Sequence, residues 1–359
     1  MVRFKHDLEQ AKERVESWWR GENTGRPVLL LTAPRDAARE YDGPVTDDLD
    51  AWWTDPTYVL PRLEHQLRST YYAGESMPVI FPVATTIVSI TNKYLGAPNV
   101  YITKNTTWSK PIIDSWDDPP PLVFSEENVW WQRTERLLAA AVDMICEKGF
   151  EAYVGLPDLN GPTEVLSGLR DPERLALDFY DHPEAITPAI RKVQDAWFEA
   201  YRRSTDIAHQ CGGHFCWMGV WSERPMIDLQ SDVSAIISNE MFREYFLPFI
   251  AEQAHEIDRT IYHLDGPDAV RHLDSLLELD ELDAIQWVQG AGAGRMTEWI
   301  DLLRRIQAGG KLVHANCDPD EVPVLCRELD PRGLLLVVRA ESEEQADEIV
   351  VEAERASRR

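Results

Sequence analysis

From Thr260 onward the chain repeats one pattern four times: a short β-rich run, then an amphipathic run with helical spacing. The strands read as 260–265, 284–289, 311–316 and 333–338, and the helices as 268–277, 297–308, 320–329 and 342–354. Strand–helix units in series predict parallel strands, because parallel neighbours need a crossover and the usual crossover is a helix. The boundaries carry their own signals. Gly309-Gly310 stops one helix. Ser342 with Gln345 has the capping-box form. Asp171 caps a helix that begins with Pro172.

The first half holds four more candidate strands, 27–32, 79–83, 152–156 and 215–221. Helical runs follow them at 56–72, 126–147, 171–209 and 239–257, and the connections are longer and richer in Pro and Trp. Eight units predict an α/β fold: a single (β/α)8 TIM barrel with long loops in its N-terminal half, spanning 1–359 as one domain. Residues 1–25 are expected to form a helix that packs on the barrel. The alternative is a doubly wound open sheet. In a barrel, chemistry belongs at the C-terminal ends of the strands.

Charge excludes some partners. Asp and Glu number 62 against 36 Lys and Arg, a net charge of −26. Nucleic acid and anionic membranes repel such a surface, so neither is an expected partner. Five cysteines, an odd number spread along the chain, argue against a disulfide framework and fit a reducing cytoplasm. The first residues lack the apolar run of a signal peptide, and no run is long enough to span a bilayer.

The stretch Tyr262-His263-Leu264-Asp265-Gly266-Pro267-Asp268 sits where a strand hands over to a helix. His263 and Asp265 are two apart, so both side chains leave the strand on one face. They read as an acid–base pair or a ligand pair; the alternative is a turn residue beside a packed histidine. Asp232, with Gln230 two residues earlier, is a second candidate carboxylate, or the cap of a short helix. Asp158 and Asn160 suit substrate hydrogen bonding, or an Asx turn before Gly161-Pro162. Trp221, Gln286 and Trp287 read as a substrate-facing wall or as core. His314 and Cys317 flank the end of the 311–316 strand, and Cys317 could join His263 and Asp265 as a third metal ligand. Cys211-Gly212-Gly213-His214-Phe215-Cys216 has metal-ligand residue types but lies at a strand start, with no matching second half. Gly290-Ala291-Gly292-Ala293-Gly294 lacks the lysine of a phosphate loop and reads as a loop over the mouth.

Several segments resemble the uroporphyrinogen decarboxylase superfamily, which includes the tetrapyrrole decarboxylase and cobalamin-linked methyltransferases. They are Tyr153-Val154-Gly155-Leu156-Pro157-Asp158-Leu159-Asn160-Gly161-Pro162, the run 231–238 with Met241-Phe242 and Pro248, and the opening stretch. HLDGPDAVRHLD followed by AIQWVQGAG looks like a distinct branch of that superfamily. The resemblance implies a (β/α)8 barrel and a small-molecule substrate, and a possible homodimer. Its first functional implication is methyl transfer with a corrinoid protein or cobalamin, with His263 and Asp265 activating the acceptor or holding zinc. The second is decarboxylation of a tetrapyrrole or other carboxylate, with Asp232 or Asp265 stabilising a cationic intermediate and Arg35 anchoring a carboxylate. A third, from another class, is a non-catalytic barrel that binds a small ligand. Two departures bear on these. The decarboxylase's arginine-rich signature is missing, leaving only Arg35 and Arg39 in its region. The thiol-directed methyltransferases hold zinc with His-x-Cys and a later Cys; here the pair is His263-x-Asp265, and Arg339-Ala340-Glu341 follows the last strand with no thiol.

Overall fold

The computed structural model describes residues 2–22, 25–35, 40–84 and 89–358. The second half folds as its pattern predicts. Strands β7 (Met226–Gln230), β8 (Arg259–Asp265), β9 (Ala284–Val288), β10 (Leu312–Asn316) and β11 (Leu334–Arg339) pair in that order, all parallel. β11 then pairs in parallel with β1 (Val28–Pro34), which pairs antiparallel with β2 (Thr70–Gly74). The result is one parallel-rich sheet of seven strands. Such strands are covered on both faces, and the Leu-Leu-Leu-Val-Val run of β11 is the composition that requires it. The caps act as read: Ser342 accepts from the Gln345 amide at 3.2 Å, and Asp171 from Glu173 and Arg174 at 3.0 and 3.3 Å.

The first half departs from the expected ring. Among the described residues the barrel is not closed. Among the described residues β3 (Val79–Ile80) pairs with β4 (Tyr153–Val154) alone. Pro78 and Pro82 flank β3 and Pro157 follows β4 closely; proline has no amide to give a ladder. Single backbone bonds continue the line, from Gly155 to Ile80 at 2.8 Å and from Leu156 to Phe215 at 3.0 Å. The candidate strand 215–221 is instead an antiparallel pair, β5 (His214–Phe215) with β6 (Trp221–Ser222). The parallel strand that follows is β7, in the stretch between that run and the helix expected over 239–257. The helix expected over 56–72 ends at Ser69, and Thr70-Tyr71-Tyr72 opens β2. Two bulky aromatics after a β-branched residue favour that extended state.

Alternation divides the sheet into two faces. Ile227, Leu229, Tyr262, Leu264, Ile285, Trp287, Leu334, Leu336 and Val338 join the large core beneath the helices. The other face begins, at the strand starts, with Val28, Met226, Ile261, Ala284 and Leu335. The helix Leu8–Trp19 packs there through Leu8, Ala11, Val15, Trp18 and Trp19. That apolar layer seals the strand starts, so polar side chains on this face collect toward the strand ends.

Candidate active site

A row of polar residues crosses four neighbouring strands in register. Gln230 on β7 lies beside His263 on β8, His263 beside Gln286 on β9, and Gln286 beside His314 on β10. Side chains at one register level share a face. His263 Nδ1 lies 2.5 Å from Gln286 Oε1. An amide oxygen only accepts, so Nδ1 carries a hydrogen; in the neutral ring Nε2 then has the lone pair, and in the protonated ring a second N–H. Nε2 faces Asp232, whose Oδ1 is 3.9 Å away. Asp265 lies two residues on from His263, on the same face of β8. One ligand atom from each of Asp232, His263 and Asp265 lies within 4.8 Å of the other two. The Trp217 ring meets the imidazole edge-on at 5.4 Å, and its indole N–H donates to Asp228 at 2.7 Å.

Zinc is the ion that the resemblance implies. An imidazole with a free lone pair and two carboxylates is a three-ligand set of the catalytic kind. The hydrogen bond from Nδ1 to Gln286 supplies the outer partner that such a histidine needs. The residues fit the group.

Next to this triad stands a wall of carboxyl groups. Gln230 donates to Asp158 at 2.8 Å, and the Asn160 amide nitrogen donates to the same oxygen at 3.1 Å. Asn160 Nδ2 donates to Glu164 at 3.2 Å. Glu164 belongs to the helix Pro162–Arg170, whose start is pressed onto the end of β7. Gly161 makes that approach possible: a Cβ there would lie 1.6 Å from the Gln230 carbonyl oxygen. Thr163 and Ser231 fasten the same junction with a 2.7 Å hydroxyl pair. Burial pushes Asp228 up to about 8, with the charge of Asp158 adding to it. Burial likewise pushes Asp158 up to about 6. Glu164 is raised well above its ordinary value by burial, then by Asp232 and Asp158. Asp232 is raised by burial although half its side chain is exposed; His263 pulls the other way. Burial, then the neighbouring His263, pushes His314 down to about 3, so it is neutral.

His263, Asp265, Asp232, Asp158, Asn160, Gln230 and Gln286 therefore come together. Four other candidates lie elsewhere. The Arg35 guanidinium donates to the carbonyls of Thr70 and Phe4, at 3.0 and 2.8 Å, and not to the His263 group; Arg39 is outside the described residues. Trp221 packs at the sealed end, where its carbonyl accepts from the indole of Trp19 at 2.9 Å. Trp287 is on the opposite face of β9 from Gln286 and packs on Trp299 at 4.9 Å. Cys317 is partly buried against the core, and burial raises its thiol; it is not in the metal-competent group, where Asp232 stands instead. Sequence reasoning passed over Trp217, Glu164 and Asp228. An aspartate inside Met-Ile-Asp-Leu-Gln, an otherwise alternating apolar run, was the available signal for Asp228.

The chain matches no protein-family model and no curated protein. Its fold is shared by a methyltransferase from Methanosarcina mazei, with TM-score 0.64 at 14% identity over 96% of this chain and 98% of that one. A B12-independent methionine synthase from Shewanella sp. W3-18-1, in complex with selenomethionine, aligns at TM-score 0.42 and 12% identity, over 76% of this chain and 77% of that one. What the first likeness shows is the fold: helices around a parallel-rich sheet.

Proposed function

We propose that the chain is a methyltransferase of the uroporphyrinogen decarboxylase superfamily, built on a (β/α)8-type frame and drawing its methyl group from a corrinoid protein. The observation that carries this reading is the convergence of Asp232, His263 and Asp265 at the end of β8, with His263 Nε2 facing Asp232. Zinc held by these three residues would act as a Lewis acid that favours the nucleophilic form of an acceptor. Gln286 keeps the imidazole in one tautomer and one orientation. Trp217 covers one edge of the ring and limits water there. Asp232 and Asp265 supply the negative charge that a divalent ion needs.

Decarboxylation of a polycarboxylate fits less well. Its expected anchor, Arg35, is engaged by the backbone carbonyls of Thr70 and Phe4. The test is demethylation of methylcobalamin, followed by absorbance, across a panel of thiol and amine acceptors. The expected result is acceptor-dependent demethylation by the native chain, reduced at least tenfold in His263→Ala and Asp265→Asn. Demethylation at the same rate in both variants, or none with any acceptor, would overturn the reading.

A further inference from the structure

The face of the sheet that carries His263 holds a second feature, three strands along at β11. Val337 pairs with Asn316 of β10 on one side and with Leu30 of β1 on the other. It stands two residues past Leu335, the partner of His314. Asp265 likewise stands two residues past His263, so Val337 and Asp265 share a level, one step nearer the strand ends than the polar row. Beyond Val337, Arg339 pairs with Thr32, and Thr32 with Tyr72 of β2. A cavity of about 590 Å³ opens over these residues.

Leu30, Val79, Phe81, Met218 and Val337 give the cavity an apolar wall, and Thr32, Tyr72 and Arg339 add polar groups. Two observations set it apart from the acidic wall beside the triad. Among the described residues no carboxylate lines it, although the chain carries 62 Asp and Glu against 36 Lys and Arg. Its permanent cation among those residues is Arg339, which is exposed and makes no hydrogen bond or ion pair with another described residue. Arg35, by contrast, is held by the carbonyls of Thr70 and Phe4. A guanidinium without a partner presents a planar fork that fits one carboxylate through two N–H bonds. One such cation beside an apolar wall suits a single negative charge on an apolar body. A more highly charged anion would meet the field of a chain with net charge −26. The cavity also adjoins the surroundings of the triad: the Met218 backbone lies against His314, and its neighbour Trp217 meets the His263 ring.

We propose that this cavity binds a monocarboxylate with an apolar body, as part of the substrate, and that Arg339 is its anchor. Calling that ligand a substrate rests on the methyl-transfer reading; its binding does not. Thr32, at the register position of Arg339, adds a hydroxyl beside the guanidinium, and the apolar wall takes the body of the ligand.

The experiment is titration calorimetry on the full chain, at low ionic strength, with hexanoate, hexanol, acetate and inorganic phosphate. The native chain is expected to bind hexanoate saturably and the other three at least about tenfold more weakly: hexanol lacks the charge, and acetate and phosphate lack the apolar body. Arg339→Gln removes the charge and is expected to weaken hexanoate at least about tenfold; Arg339→Lys keeps the charge without the fork and is expected to weaken it less. Neither substitution breaks a described contact, and thermal melts check that both fold. If Arg339→Gln fails to fold, Arg339→Lys and the comparison of the four ligands carry the test. No saturable binding of hexanoate would overturn the proposal. So would equal binding of hexanol, acetate or phosphate, or unchanged affinity in folded Arg339→Gln. A loss in His263→Ala as large as that in Arg339→Gln would put hexanoate at the triad, and would overturn it too. Methylcobalamin demethylation run on the same preparations separates the two claims. Demethylation without hexanoate binding removes this inference alone, and hexanoate binding without demethylation removes methyl transfer alone.

Discussion

His263 and Gln286 form a hydrogen-bonded pair across adjacent parallel strands, with Nδ1 donating to Oε1 at 2.5 Å. The pair decides what the opposite nitrogen can do. Replacing Gln286 with Ala frees the ring to rotate and to change tautomer. Outer partners of this kind are typically worth 10–100-fold in metal affinity. Gln286→Ala is therefore expected to weaken zinc binding by about that factor, measured by competition with a chromophoric chelator, while Gln286→Glu retains most of it.

Asp228 makes stability depend on pH. Its carboxyl is pushed up to about 8 in the folded chain, against about 3.9 unfolded. Between those values the folded state holds a proton that the unfolded state releases. Stability conferred by the neutral carboxyl is full below about pH 4 and falls as pH rises toward 8. Asp228→Asn removes this titration. The native chain is expected to lose more stability than the variant between pH 5.5 and 8, by a few kcal/mol on the order given by that shift. Urea unfolding at the two pH values, in metal-free buffer, measures it. Parallel curves for the two proteins would contradict it.

Gly161 is a packing requirement. A methyl group there runs into the Gln230 carbonyl at 1.6 Å, which forces the 158–164 segment away from β7. Gly161→Ala is expected to destabilise the fold by at least about 1–3 kcal/mol, seen in denaturant unfolding. Asp158, Gln230 and Glu164 should lose their alignment with it, so zinc-dependent activity should fall further than stability does.

Cys317 supplies a control. It lies outside the ligand group and packs partly against the core. Cys317→Ser is expected to leave zinc stoichiometry unchanged at a stability cost near 1 kcal/mol, the scale of an ordinary partly buried substitution. Loss of the metal in this variant would restore the thiol as a ligand.

The sequence made the second half of the fold legible because each strand there is continuous, three of its four helices open on a capping box or capping side chain, and each connection is short. β8 to β11 lie within one residue of their predicted bounds, and their helices, counted with the 3-10 turns that open them, within three. The first half was harder to read because prolines cut the strands to pairs of residues. The run 215–221, apolar enough for one strand, folds back on itself instead. At the site, His263 and Asp265 could be paired from their two-residue spacing alone, but their partnership with Asp232 and Gln286 depends on strand register. Trp221 and Trp287 showed the opposite problem. Their composition suits a binding wall, yet burial at the sealed end and on the helix-covered face makes them core. Asp228 and Glu164 were overlooked for a related reason: a carboxylate in an apolar strand, or at the start of a helix, gains its meaning only from the charges folded around it.

The central claim is that Asp232, His263 and Asp265 hold a divalent ion at the end of β8. Elemental analysis of the chain, prepared without chelator and reconstituted with zinc, tests it most directly beside His263→Ala. About one zinc per chain in the native protein, lost in the variant, is the predicted result. No bound zinc in the native protein, or the same zinc content in both, would contradict it.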